Sequence, residues 1–340
     1  MKKQLLLLAF GFAATQAYAQ LGKTEDMKKS LASQNKDTVA WMRGGLLNVG
    51  LNQGFLHNWA AGGELASMTV NGLFNGYVTR LYHRQVWTNN LDLNYALFYA
   101  YSNNFVPRKM DDRIDFTSKY GVRIDTAKDF YITGLLNFKS QFSKGYDYNS
   151  KNWDTFSVSN FLSPAYITLA AGLEYRKGNN MSLFFSPAAA RMTLVDLYYT
   201  LRNPAGAYGV ENGKTSRFEL GAYFTGRYNT DLDKPLAYRT RLDFYVNYLA
   251  KDVTDATGKV VKKDNPGNID WLWDNLLLYK ANKYLTVSLG VTLMYDNDLP
   301  YSATTIDATT GKEVSRNEPG EFMGWVQTKQ IFTLGFAYKF

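Results

Sequence analysis

The chain has 340 residues, a formal net charge of +8 and no cysteine. The lack of cysteine excludes disulfide staples and thiolate metal centres. The 38 Lys and Arg are scattered without a basic block or a nucleic-acid-binding signature, so nucleic acid is not an expected partner. The mean hydropathy is −0.31, yet 25 Tyr, 21 Phe and 7 Trp form an aromatic excess. Amphipathic aromatic rings suit a boundary that is apolar on one side and wet on the other.

Residues 1–19 read as a cleaved signal peptide. Lys2 and Lys3 form its basic start, an apolar run follows, and Ala17-Tyr18-Ala19 is a small-x-small cleavage site. That run is too short to span a membrane, and no later stretch approaches the roughly 18 apolar residues a spanning helix needs. Residues 20–40 are polar and mixed in charge, and are expected to form a periplasmic leader.

From there the pattern has a period of two. Leu47, Val49 and Leu51 alternate with Leu46, Asn48, Gly50 and Asn52. Met68, Val70, Gly72 and Phe74 alternate with Thr69, Asn71 and Leu73. Leu91, Leu93, Tyr95, Leu97 and Tyr99 oppose Asn90, Asp92, Asn94 and Ala96. Ile114 and Phe116 oppose Asp115 and Thr117, and Ile132, Leu136, Phe138 and Phe142 oppose Thr133, Asn137, Lys139 and Gln141. Further strands are predicted near residues 164–175, 181–193, 216–228, 237–248, 269–281, 285–295 and 328–340.

This gives about twelve segments of a length suited to tilted transmembrane strands. Tight connections at 81–84, 125–129, 176–180, 229–235 and 282–283 alternate with long ones at 54–65, 102–112, 143–162, 194–215, 251–268 and 297–324. The expected fold is therefore all-β: one antiparallel outer-membrane β-barrel over residues 41–340, with short periplasmic turns and long external loops. An even strand count places both termini in the periplasm of a Gram-negative cell. The last strand carries Phe332, Leu334, Phe336, Tyr338 and Phe340 on one face. Phe336, Tyr338 and Phe340 read as the assembly signal for the barrel-assembly machinery, and outer-membrane lipid is the expected partner of that face.

Chemistry-bearing motifs are scarce. No nucleophile elbow and no HExxH sequence occurs, so no catalytic residue is assigned and no cofactor is expected. His57 and His83 are the only histidines. His57, with Asn58 and Trp59, lies in a predicted outer loop; it is the residue that a lipid-modifying rim enzyme would need as a base. Trp153 in another outer loop is a candidate for stacking on sugar. No metal is expected. Asp296 and Asp298 offer oxygens to a cation, but the segment reads first as an Asx-rich loop entry, because the spacing fails an EF-hand.

If the apolar stripes face lipid, the lumen receives Asp92, Asp115, Lys119, Arg123, Lys139, Glu174, Arg191, Arg217, Glu219, Arg227, Arg239, Arg241, Asp243, Asp270, Asp274 and Lys280. A charge turned to lipid would cost about 2–4 kcal/mol at mid-membrane. The arginines suggest either an anion-favouring wall or a structural network with the acids. In the tenth strand Leu272, Leu276 and Leu278 share parity with Asp270 and Asp274, which predicts a bulge or a different register.

Several strings resemble a family of outer-membrane barrel proteins of Bacteroidota type that carries only a domain-of-unknown-function label. They are Asn58-Trp59-Ala60-Ala61-Gly62-Gly63, Ser140-Gln141-Phe142-Ser143-Lys144-Gly145-Tyr146, Ser159-Asn160-Phe161-Leu162-Ser163-Pro164-Ala165-Tyr166, Asp270-Trp271 and Tyr295-Asp296-Asn297-Asp298. The resemblance implies an outer-membrane location and brings no reaction or substrate. The leading functional expectation is a passive or substrate-selective channel for small hydrophilic solutes. The alternatives are a non-conducting scaffold or surface-binding barrel, and a rim-located lipid-modifying enzyme.

Overall fold

The computed structural model describes residues 40–56, 65–124, 129–146, 148, 154, 156–177, 180–202, 206–233, 235–254, 257–258, 260–262, 264–282, 285–298, 304–306, 313–315 and 326–339. The signal peptide, most of the leader, His57, Asn58, Trp59, Trp153 and Phe340 lie outside the described residues.

Twelve long strands close into one antiparallel barrel. They are β1 (Ala40–Phe55), β2 (Ala66–Tyr82), β3 (Gln85–Ala100), β4 (Arg108–Arg123), β5 (Phe130–Ser140) and β6 (Ala165–Lys177). The second half comprises β7 (Met181–Leu194), β8 (Ser216–Asp233), β9 (Leu236–Asn247), β10 (Ile269–Lys280), β11 (Leu285–Tyr295) and β12 (Gln327–Lys339). Each strand pairs with its chain neighbours, and β1 closes the ring on β12. The strands and the alternation of short and long connections follow the sequence expectation closely. Small two-stranded hairpins decorate long loops, as where Gly145–Tyr146 pairs with Ser157–Ser159.

Alternation fixes two faces. Leu47, Val49, Leu51, Ile132, Leu169, Leu173, Phe218, Phe332, Leu334, Phe336 and Tyr338 all point outward and are exposed. Their in-line neighbours Leu46, Asn48, Thr133, Thr168, Glu219 and Thr333 are buried inside. An apolar exterior this extensive is unstable in water, at about 25 cal/mol for each Å² of apolar surface. Outward aromatic residues gather toward the short-turn end, where Trp41, Tyr77, Tyr82, Trp87, Tyr120, Phe130 and Tyr279 are exposed. The Arg80 guanidinium lies 5.7 Å from the Trp41 ring.

Three departures from simple alternation matter. In β10 the pairing with β9 runs unbroken from Ile269 to Tyr279, so the expected bulge is not there. Leu272, Leu276 and Leu278 share the inward parity of Asp274; Leu278 is buried and packs with Leu46 and Ala237, against Leu73 and Leu276. A barrel this narrow fills part of its interior with apolar side chains. In β7 the register shifts between Ser186 and Ala189, around Pro187. Proline cannot donate to the ladder, and the bulge turns the parity over. Phe184 and Arg191 therefore both point inward. β5 stops at Ser140, before Phe142, because the Phe142 and Ser143 amides donate to Asp112 at 2.6 and 3.0 Å instead of to a neighbouring strand.

The seam is shorter than the other pairings. β1 meets β2 along its whole length, from Ala40↔Leu81 to Phe55↔Ala66, but meets β12 only from Leu46↔Lys339 to Gly50↔Gly335. A Cβ at Gly335 would strike the Val49 carbonyl, so glycine is what lets these strands approach.

Candidate functional site

The lumen holds the chemistry. On the ring, β4 and β10 are six steps apart among twelve strands, directly opposite each other. Arg113 of β4 reaches Asp274 of β10 at 2.7 Å, and Thr292 donates to the same carboxylate at 2.6 Å. Arg241 of β9 spans to Asp115 of β4 at 2.7 Å and also grips Asp243 through Nε (2.9 Å) and Nη2 (2.8 Å). Lys139 of β5 closes on Asp243 at 3.2 Å. Asn137 donates to Asp115 at 2.7 Å. Asp115 and Asp243 are both buried.

Two more of the predicted arginines join this layer. Arg227 donates to Thr117 across the lumen at 3.3 Å, and Arg239 to Asn75 at 3.2 Å; Asn75 in turn bonds Asp92. Lys329 of β12 reaches Asp111 of β4 at 2.8 Å. Buried charges are stable only when partnered and hydrogen-bonded. Here partners arrive from the facing wall, and the side chains meet in the middle.

Two further clusters lie toward the ends. Toward the short turns, buried Glu174 takes Lys119 at 2.6 Å, Arg176 at 3.1 Å, Ser182 at 2.6 Å and Thr133 at 3.0 Å. Arg123 pairs with Asp129 beside the β4–β5 turn at 2.7 Å, so it serves the rim of the barrel, not the centre of the lumen. Toward the long loops, Arg191 binds Glu219 through two nitrogens at 2.6 and 3.2 Å and Asp270 at 3.0 Å, and stacks 3.8 Å over the Tyr245 ring. Two parallel bonds between guanidinium and carboxylate are the strongest form of this contact. Arg217 reaches Glu219 (3.1 Å), Asp264 (3.5 Å) and both oxygens of Asp298 (2.9 and 3.0 Å). It also donates to the Gly209 carbonyl at 3.1 Å. Gly209 has φ +77°, and a Cβ there would meet Arg217 and Asp298.

Asp296, Asp298 and Asp270 converge at this mouth, one oxygen of each within 4.8 Å of the others. The Asx turn expected at 296–298 is present, since the Asp298 amide donates to Asp296 at 2.8 Å. Its meeting with Asp270, at the end of the adjacent strand β10, was not read from the sequence.

Above the mouth the loops build a platform. Val195, Tyr199 and Val210 form a small buried cluster. Asp196 caps a one-turn helix (Leu197–Thr200), accepting from the Tyr198 amide at 2.8 Å. Ser157 bonds the Tyr199 hydroxyl at 3.0 Å, and Tyr208 donates to the Val158 carbonyl at 2.7 Å. Burial pushes the Tyr208 hydroxyl up to about 12, so it remains a donor at neutral pH.

Arg191, Arg217, Arg227, Arg239, Arg241, Asp243 and Asp274, named from the sequence, lie on the inner face with the partners given above. Sequence reasoning missed Asp111, inside the stretch 102–112 read as loop, Arg113 just past its end, and Phe184, hidden by the Pro187 bulge. The strings around Ser140 and Ser159 turn out to hold each other. Gln141 accepts from Ser159 and Lys109, both at 2.9 Å, and donates to the Ser163 carbonyl at 3.0 Å.

A family described as "Protein of unknown function (DUF3078)" matches residues 51–146. That stretch contains two of the strings quoted above, those beginning at Asn58 and Ser140. No curated protein matches the chain. Among solved structures, the COG4313 outer membrane channel from Pseudomonas putida F1 is 8% identical, with 89% of this chain and 95% of that one covered and a TM-score of 0.34. A Pseudomonas aeruginosa FadL homologue is 10% identical, with coverages of 88% and 87% and a TM-score of 0.28. OmpT of Vibrio cholerae is 11% identical, with coverages of 91% and 99% and a TM-score of 0.28. Superpositions this loose bring no activity to the chain. The closed ring of twelve strands with its apolar exterior is by itself an outer-membrane type of barrel.

Proposed function

We propose that the protein spans the outer membrane of a Gram-negative bacterium as a barrel plugged by its own side chains. It does not conduct at rest, and it holds a structured loop platform on the outside, with both termini in the periplasm. The observation that carries this reading is the Arg113–Asp274 bond at 2.7 Å between opposite strands, flanked by Arg241–Asp115 and Lys139–Asp243. Direct contact across the ring supports an obstructed lumen at that level, where the Arg113 and Asp274 side chains stay 27% and 20% exposed. The arginines that suggested an anion-favouring wall have partners within the protein: Arg217 and Arg241 bind acids, Arg239 an amide and Arg227 a hydroxyl. Lipid is the partner of the outer face, and Phe336, Tyr338 and Phe340 are the residues offered to the assembly machinery.

A gated channel for small hydrophilic solutes is the second reading. What favours it is the make-up of the plug: the cross-lumen contacts on the described residues join side chains of barrel strands, which rearrange without unfolding backbone. The rim-enzyme reading rests on His57, outside the described residues, and gains no support from the lumen.

Liposome swelling separates these readings. Vesicles holding folded wild-type protein are expected to swell no faster than empty ones in isosmotic arabinose. Rapid swelling by wild type would overturn the plugged reading. Swelling that appears only in the Arg113→Ala, Arg241→Ala double variant would favour the gated one.

A further inference from the structure

The outer face carries two cations that neither the plug nor the lipid stripe explains. The outward residues of β1 include Trp41, Arg43, Leu47, Val49 and Leu51, and those of β2 include Arg80, Val78, Phe74 and Val70. Arg43 is exposed and Arg80 half-buried. Among the described residues neither forms a hydrogen bond or an ion pair. By contrast Arg113, Arg191, Arg217 and Arg241 in the lumen all bind carboxylates. The outward positions of β1, β2, β3 and β12 hold no carboxylate that could serve the pair. An outward arginine is costly at mid-membrane. It is tolerated near the interface, where its stem lies in hydrocarbon and its head reaches the phosphates.

Both arginines stand at that interface. Trp41, Arg80, Trp87 and Tyr120 form one cross-strand row over β1–β4 at the short-turn end, and its three aromatic members are exposed. The Arg80 guanidinium sits 5.7 Å from the Trp41 ring and 5.7 Å from the Tyr82 ring. Its Nε is sealed from solvent without a hydrogen-bond partner, which leaves the two terminal nitrogens to donate outward. Arg43 pairs with Val78 and is therefore the diagonal neighbour of Arg80, one step nearer the membrane centre. Diagonal neighbours lie about 7–8 Å apart, so two side chains of this length reach one anion between them. Without an anion they repel. The seam adds a separate feature. Among the described residues β12 pairs with β1 from Leu46 upward and with none of Ala40–Gly45. Alternate residues of that stretch turn their backbone N–H groups to the open side, beside Arg43.

We propose that Arg43 and Arg80 form a binding site for the headgroup of an anionic phospholipid in the periplasmic leaflet. This rests on the reading that the barrel spans the outer membrane with its short turns in the periplasm. A guanidinium offers paired N–H donors that match the oxygens of a phosphate. With the headgroup at the arginines, the acyl chains lie along Leu47, Val49 and Val70, which continue the same face toward the membrane centre and are exposed. Free phosphate would take the same guanidinium groups but makes no use of that stripe, so the lipid is the better fit.

The test is native mass spectrometry of the protein folded in detergent micelles, with folding checked by heat-modifiable migration on gels. Dioleoylphosphatidylglycerol and dioleoylphosphatidylcholine are supplied at equal concentration. Wild type is expected to retain a single phosphatidylglycerol, preferred over phosphatidylcholine by about twentyfold. Arg43→Gln and Arg80→Gln should each lower that preference by about fivefold, and the double variant should abolish it. Arg43→Gln alone, at an exposed position, covers the case in which the double variant does not fold. Lys177→Gln, which removes an exposed cation at the end of β6, should leave the preference unchanged. Equal retention of the two lipids by folded wild type, or an unchanged preference in folded Arg43→Gln, would overturn the site. A loss in Lys177→Gln as large as in Arg43→Gln would overturn its assignment to these arginines. Displacement of phosphatidylglycerol by an equal concentration of sodium phosphate would overturn the lipid in favour of a free anion. Protein that folds and stays monomeric without detergent would contradict the membrane reading itself, whereas loss of lipid selectivity alone leaves that reading and the plug standing.

Discussion

The middle of the lumen and its mouth at the long-loop end are built from the same residue types and reach different arrangements. In the middle, Asp115, Asp243 and Asp274 each face a cation carried by another strand, and the contacts close the ring. At the mouth, Asp270 and Asp298 have guanidinium partners too, in Arg191 and Arg217, but they also gather with Asp296, an oxygen of each within 4.8 Å of the others. The difference lies in what the facing wall supplies. Strands present side chains at fixed positions, so opposite charges in register across the lumen neutralise each other. Where strands give way to loops that constraint is lost, and carboxylates gather. Charge pairing makes the centre a plug, and at the mouth pairing and convergence of carboxylates occur together.

The comparison breaks most sharply at Arg241. Arg241→Ala leaves Asp115 and Asp243 buried without their guanidinium and should cost about 3–5 kcal/mol. Equilibrium urea unfolding in lipid vesicles, followed by tryptophan fluorescence, reads the loss. A neutral result would mean that water reaches the centre of the lumen.

Next is the outer face. Leu169 is 56% exposed and lies beside inward Thr168. Leu169→Arg should cost about 2–4 kcal/mol in the same assay, because the new charge meets hydrocarbon. No loss would place this face in water.

Arg217→Ala at the mouth should cost less, about 1.5–3 kcal/mol, since it removes charged hydrogen bonds near solvent. Added NaCl should shrink this loss more than the Arg241→Ala loss, because salt screens charges near solvent and buried ones much less. An equal response in both would erase the distinction between the two regions.

The smallest effect is expected in the platform. Tyr208→Phe removes the 2.7 Å bond to the Val158 carbonyl and should cost about 1 kcal/mol. Limited proteolysis should cut the loops faster while the barrel stays folded. Unchanged cleavage would show that the cluster of Val195, Tyr199 and Val210 holds the platform unaided.

Most of the barrel was legible in the sequence because a strand in contact with lipid on one side has little freedom. Leu47, Val49 and Leu51, or Phe332, Leu334 and Phe336, leave one choice of outward face, and the loop lengths fix the order of the hairpins. The failures have specific causes. Pro187 inserts a bulge that turns β7 over, so alternation counted from Arg191 puts Phe184 on the wrong side. Leu272, Leu276 and Leu278 look like a lipid stripe but fill a narrow interior. Arg113 directly follows the stretch 102–112 that reads as a loop, although the strand already begins at Arg108. The partners of the plug were not legible at all. Arg113 and Asp274 are 161 positions apart, and alternation shows that both face inward without showing which residue each one meets. The same holds for Asp270 and the Asp296-Asn297-Asp298 turn, whose meeting depends on how the β10–β11 hairpin ends at the mouth.

Single-channel recording tests the central claim most directly. Folded wild-type protein, verified by heat-modifiable migration, is inserted into a planar bilayer in KCl. The plugged barrel predicts a bilayer without sustained conductance steps. Stable ohmic steps from wild type would contradict it, because they require an aqueous path where Arg113 and Asp274 are in contact.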